Sequence, residues 1–131
     1  MSRDIKKNQA DNLIKELETK IKDINKIKFL SAHLKVDVDS MKNICFSFIQ
    51  KMDNVVLVLA TQKNDKVILN IALSKSIVEE KKLNASELIN KVGGHVNARG
   101  GGQPFFAVAS GDNIHGVNKV FNDLEKVIIN C

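Results

Sequence analysis

Arg99 stands at the head of a glycine run, Arg99-Gly100-Gly101-Gly102-Gln103, shortly after Gly93-Gly94-His95. A guanidinium among glycines suits one chemistry well. It can fork onto two phosphate oxygens, which the point charge of lysine cannot do. The glycines let an anion approach main-chain N–H donors without meeting side chains. The stretch 93–107 holds five of the seven glycines and the single proline of the chain. Lys91 is near in sequence and adds charge. The candidate anion-contacting set is therefore Lys91, Gly93, Gly94, His95, Arg99, Gly100, Gly101 and Gly102. A tight structural link between two elements is the competing reading of the glycines. His95 likewise has two readings, a ligand contact or a satisfied structural histidine.

Catalytic arrangements are missing from the pattern. His33, His95 and His115 lack the spacing of a zinc site. Reading His33 in a strand makes it a half-buried packing residue, and His115 near a helix start falls on the surface. Cys45 lies on the apolar face of a helix and reads as core. Cys131 is terminal, and the two cysteines form neither a disulfide framework nor a metal motif. No Gly-x-Ser-x-Gly elbow is present. Gly102 is followed by Gln103-Pro104 rather than Lys-Ser, so the run is not a Walker loop, and a helix rather than a strand precedes it, against a dinucleotide fingerprint. The pairing of Asp37 and Asp39 is explained by a helix cap. The residues predict no metal and no cofactor.

The elements that must hold this segment follow from periodicity. Ala10, Ile14, Leu17, Ile21 and Ile24 recur at 4-3-4-3 spacing, predicting a helix from residue 4 to about 27 with a coiled-coil seam. That seam would pack within the chain or pair with a second copy. Phe29 to Val36 reads as a strand, and Asp37-Val38-Asp39 starts a helix to Met52 that buries Met41, Ile44, Cys45, Phe48 and Ile49. Val55 to Thr61 is an apolar, β-branched run, the mark of a central strand. A turn at Asn64-Asp65 leads to a second hairpin arm, Val67 to Leu73. Residues 74–83 read as a connection. Asn84 caps a helix from Ala85 to Val92, stopped by Gly93. The glycine segment reads as a loop, Phe105 to Ala109 as a short strand, and Ile114 to Ile129 as a closing helix. The sum is an α/β domain, helices on a mixed sheet, with residues 1–27 as a leading helix and 28–131 as the globular part.

The bulk numbers agree with a single core: 131 residues, 44% hydrophobic and 27% charged. No apolar run approaches the roughly 20 residues that span a bilayer. The polar, charged N-terminus reads as one without the apolar stretch of a signal peptide, and the cysteine usage points to a reducing cytoplasm. A net charge of +5 favours a polyanionic partner. All six aromatics are Phe, which argues against an aromatic platform for single strands. A folded RNA, read by shape and backbone, needs none.

The residues Leu83-Asn84-Ala85-Ser86-Glu87-Leu88-Ile89, the glycine segment, and Gly100-Gly101-Gly102-Gln103-Pro104-Phe105-Phe106-Ala107 followed by Gly111 resemble the C-terminal domain of alanyl-tRNA synthetases. This is the DHH-associated domain type, also found at the C-terminus of DHH phosphoesterases, whose Gly-Gly-His-x-x-Ala-x-Gly pattern is echoed by Gly93 to Gly100. The specific match covers about residues 83–111. The resemblance implies a tRNA-binding domain of a ligase of protein biosynthesis, with the glycines, Arg99 and Gln103 as RNA contacts. It would serve aminoacylation and editing carried out elsewhere, with ATP bound by the full-length enzyme. It implies tRNA and the neighbouring domains of a longer chain as partners, with a homodimer through the leading helix. It also implies an excised fragment that does not aminoacylate alone. The alternatives are the substrate-binding half of a DHH phosphoesterase and a dimerisation module.

Overall fold

The computed structural model describes residues 15–24 and 26–130. Six strands are formed: β1 (Lys22–Ile24), β2 (Ile27–Leu34), β3 (Val55–Lys63), β4 (Lys66–Leu73), β5 (Arg99–Gln103) and β6 (Phe106–Gly111). The helices are α1 (Val38–Lys51), α2 (Lys75–Glu80), α3 (Ala85–Gly93) and α4 (Val117–Ile129). The strands make one sheet in the order β1-β2-β3-β4-β6-β5. β2 and β3 run parallel, joined through α1, and the other neighbours are antiparallel. This is the expected α/β domain with a mixed sheet.

Two-residue alternation sorts the core into two layers. In β3, Val56, Val58 and Ala60 face one side, where Ile77 of α2, Leu88, Ile89 and Val92 of α3, and Val120, Leu124 and Ile128 of α4 cover them. Val55, Leu57 and Leu59 face the other, against Met41, Ile44, Cys45 and Phe48 of α1. Burial on both faces is why β3 reads as an unbroken apolar run. Ile49 of α1 is only partly buried at the margin of that second layer. The same alternation in β4 places Asn70 on the α1 side. Its Nδ2 reaches Met41 Sδ at 3.2 Å, and its Oδ1 has no hydrogen-bond partner among the described residues.

Three expectations are corrected. The leading helix does not continue to residue 27: residues 15–18 are helical, and the chain then turns into β1, which pairs with β2 around Lys26 at φ 66. The apolar spacing misleads because its members serve different layers. Leu17 is buried in the α1 layer and Ile21 packs against it, whereas Ile24 packs against the opposite one. Ala10 and Ile14 lie outside the described residues. The stretch 74–83 contains α2, a helix with a single buried anchor, Ile77, too short to show a period. Its N-cap residue Ser74 accepts from Val55 N at 3.1 Å, tying α2 to β3 rather than capping its own helix. The glycine segment, read as a loop, contains the edge strand β5 at Arg99–Gln103.

Candidate nucleic-acid interface

The site begins at α3. Its N-terminus is fixed by Asn84, whose side chain accepts from Ser86 N at 2.9 Å and Glu87 N at 3.3 Å. Its apolar stripe, Ala85, Leu88, Ile89 and Val92, is buried, leaving Lys91 exposed in the last turn. Gly93 does not stop the helix dead, since a short 3-10 turn, Gly94–Val96, follows directly. Asn97 at φ 56 then reverses the chain into β5.

That reversal is pinned from several sides. Ala98 N donates to Gly93 O at 2.8 Å, Asn113 N to Val96 O at 3.1 Å, and Asn113 Nδ2 to His95 O at 3.1 Å. Asn97 Nδ2 donates to Asp112 Oδ1 at 3.1 Å. His95 Nε2 pairs with Asp123 Oδ2 of α4. The hydrogen bond from His95 holds the Asp123 carboxyl below its ordinary range, with the charges of Lys126 and Lys91 acting in the same direction. One ring nitrogen of His95 is thus engaged by α4, and its side chain stays partly exposed.

β5 explains its own glycines. A Cβ at Gly100 would lie 2.7 Å from Ala109 Cα, and one at Gly102 would lie 2.8 Å from Ala107 Cα, both in the main chain of β6. The close approach inferred from sequence is thus made, at these two positions, by the neighbouring strand. Gly94 is different, because nothing stands within 4 Å of its Cβ direction. Glycine is a poor strand former, which is why composition suggests a loop here. The outer edge of β5 pairs with no strand in the sheet order. Arg99 and Gln103 are exposed on it, and no ion pair to Arg99 occurs among the described residues.

Sequence reasoning missed one feature beside β5. The turn after β5 is fastened by Ala85 N donating to Pro104 O and Leu73 N to Phe105 O, each at 2.8 Å. Beside it lies a groove of about 290 Å³, lined by Gly102, Phe105, Phe106 and Val108 together with Lys42 and Phe46 of α1. The rings of Phe46 and Phe106 stand 5.0 Å apart at 39°, and Lys42 Nζ lies 5.9 Å from the Phe46 centroid. The only trace of this in the sequence is the i,i+4 spacing of Lys42 and Phe46 on α1.

The remaining candidates fall elsewhere. His33 is exposed rather than half-buried, since it stands next to the end of β2 on the face where Ile27 and Phe29 are buried but no core residue follows them. It lines a second groove, of about 410 Å³, with Lys35, Thr61 and Gln62. His115 is exposed, as expected. Burial pushes the Cys45 thiol up to about 12, so it is no nucleophile at neutral pH. Among the described residues there is no cluster of three or more His, Cys, Asp or Glu that could hold a metal ion, and no helix long and apolar enough to cross a membrane.

Comparisons with known proteins bear on the family and the fold. An alanine–tRNA ligase from Christiangramia forsetii is 33% identical over 122 residues, covering 93% of this chain and 14% of that protein. A second, from Psychromonas ingrahamii, is 43% identical over 81 residues, covering 61% of this chain and 8% of that protein. The chain therefore spans a small part of the length of these relatives. Among solved structures, the C-Ala domain from Aquifex aeolicus alanyl-tRNA synthetase has the same fold, with a TM-score of 0.77 at 23% identity over 84% of this chain and 98% of that one. A pGpG-specific phosphodiesterase, PggH, from Vibrio is similar at a TM-score of 0.56 and 14% identity, covering 97% of this chain and 41% of that one. The family model of the DHHA1 domain matches residues 25–130, most of the length, and the chain belongs to the DHHA1 domain family.

Proposed function

We propose that this chain is the tRNA-binding C-terminal domain of an alanine–tRNA ligase. It would position tRNA(Ala) for aminoacylation and editing carried out by other domains of a longer cytoplasmic chain. The observation that carries the proposal is the similarity to alanine–tRNA ligases along 93% of the chain. The geometry supports it. Arg99 is exposed and without an ion-pair partner among the described residues, on a strand edge whose glycines leave the backbone bare. Lys91 is exposed in the last turn of α3, close in sequence to the turn that His95 holds to α4. With a net charge of +5, the protein would bind a polyanion through phosphate contacts. The phosphoesterase reading is weaker, since it rests on a more distant fold likeness.

Titration with folded tRNA at two salt concentrations, against a single-stranded RNA of equal length, tests this reading. Binding should weaken with salt and favour the folded RNA. Arg99→Ala should cost about 1–3 kcal/mol and reduce the salt slope by about one. Affinity and slope equal to the wild type would remove Arg99 from the interface.

A further inference from the structure

We infer that the groove between β5 and α1 takes the face of an exposed nucleobase, so that RNA is held there by stacking as well as by charge. The inference rests on the RNA-binding reading above and adds a ligand chemistry to it. Three of the six phenylalanines of the chain, Phe46, Phe105 and Phe106, meet at this one place although they come from two distant segments, so the packing of α1 assembles an aromatic surface that the all-Phe composition argued against. Phe105 is 38% exposed, and Ile129 is the other large apolar side chain left exposed among the described residues. The position of Phe105 is not a frayed accident. Main-chain hydrogen bonds from Leu73 and Ala85 clamp the turn that carries it.

The surroundings select the occupant. Gly101 and Gly102 line the groove with main chain alone. Lys42 is the charged residue of the lining, and no carboxylate lines it. Arg99 lies on the same strand, placing cations where the phosphates flanking a stacked base would pass. At about 290 Å³ the groove falls just under the ~300–1,000 Å³ of sites that enclose a whole drug-sized ligand. It fits one ring system laid against phenylalanine, with sugar and phosphate outside. An apolar peptide would gain nothing from the flanking cations, whereas stacking on aromatic side chains tolerates any base and combines with cationic tracking of the backbone.

The chain contains no Trp and no Tyr, so Phe105→Trp installs a single fluorophore in the groove. Its emission should be quenched by tRNA and unaffected by heparin, a polyanion without bases. Phe105→Leu should weaken tRNA binding about 5- to 100-fold, as loss of one stacking contact does. The salt slope and heparin binding should stay as in the wild type, because no phosphate contact is lost. A urea midpoint equal to that of the wild type shows that the Leu variant is folded. Unchanged tRNA affinity in Phe105→Leu would overturn the inference and assign the groove to a protein segment. So would equal loss of tRNA and heparin binding, or tryptophan emission indifferent to tRNA. If the wild-type chain binds no tRNA at all, it is the RNA reading itself that fails.

Discussion

Single residues carry the sharpest expectations, and the glycines give opposite ones. Gly100→Ala drives a methyl into the main chain of β6. It should cost about 1–3 kcal/mol, as overpacking does, read as a lower urea midpoint. Gly94 has helical angles, φ −59 and ψ −28, and open space around it. Gly94→Ala should stabilise by about 0.4–1 kcal/mol, through a less flexible unfolded chain. Two glycines in one motif thus answer to different physics, and composition alone treats them alike. Asp123 offers a pH test. Its carboxyl is held below the ordinary range by the His95 hydrogen bond. The stability this brings is present above the unfolded value, near 3.9, and is lost as pH falls through the lower folded value. Asp123→Asn should therefore flatten the acid limb of stability below about pH 4. An acid limb identical to that of the wild type would deny the pair its role.

At the scale of elements, legibility followed the number of anchors. α1, α3 and α4 each bury four or more residues at helical spacing, so their periods were visible. β3 was visible because both its faces are covered. α2 buries one residue and β5 buries none, so neither left a periodic trace. The leading helix was overextended because Ile21 and Ile24 kept its rhythm while serving opposite faces of the sheet. Leu17 decides what that segment does. Being wholly buried against α1, it contributes to the stability of a single chain. Leu17→Ala should cost about 2–5 kcal/mol. The loss should be independent of protein concentration in urea titrations; a loss that grows on dilution would return the residue to a dimer seam. Asn84→Ala should cost roughly 1 kcal/mol as a lost cap. Because Ala85 N bonds Pro104 O, that change should also loosen the turn beyond β5.

For the whole molecule, the sheet was legible as mixed and helix-covered, but its strand order was not. Adjacency of β4 with β6, and the position of β5 beyond it, depend on pairings between distant segments that no local pattern encodes. The candidate site was legible as a segment and illegible as a surface. Arg99 and the glycines are contiguous in sequence, whereas Lys42 and Phe46 reach them only through the packing of α1. The charge balance was legible from composition, and its distribution over the surface was not.

The fastening of β5 has one more consequence. The strand is tied down at either end, by Ala98 N to Gly93 O and by Ala85 N to Pro104 O, yet no side chain of its own enters the core. It resembles a string stretched between two pegs over a board. Such a margin can lift and resettle while the board stays rigid. Amide protons of residues 99–103 should exchange with deuterium far sooner than those of β3, whose opening requires the whole domain to come apart. A ligand that damps this motion would slow exchange there first, making the glycine strand a built-in reporter of occupancy.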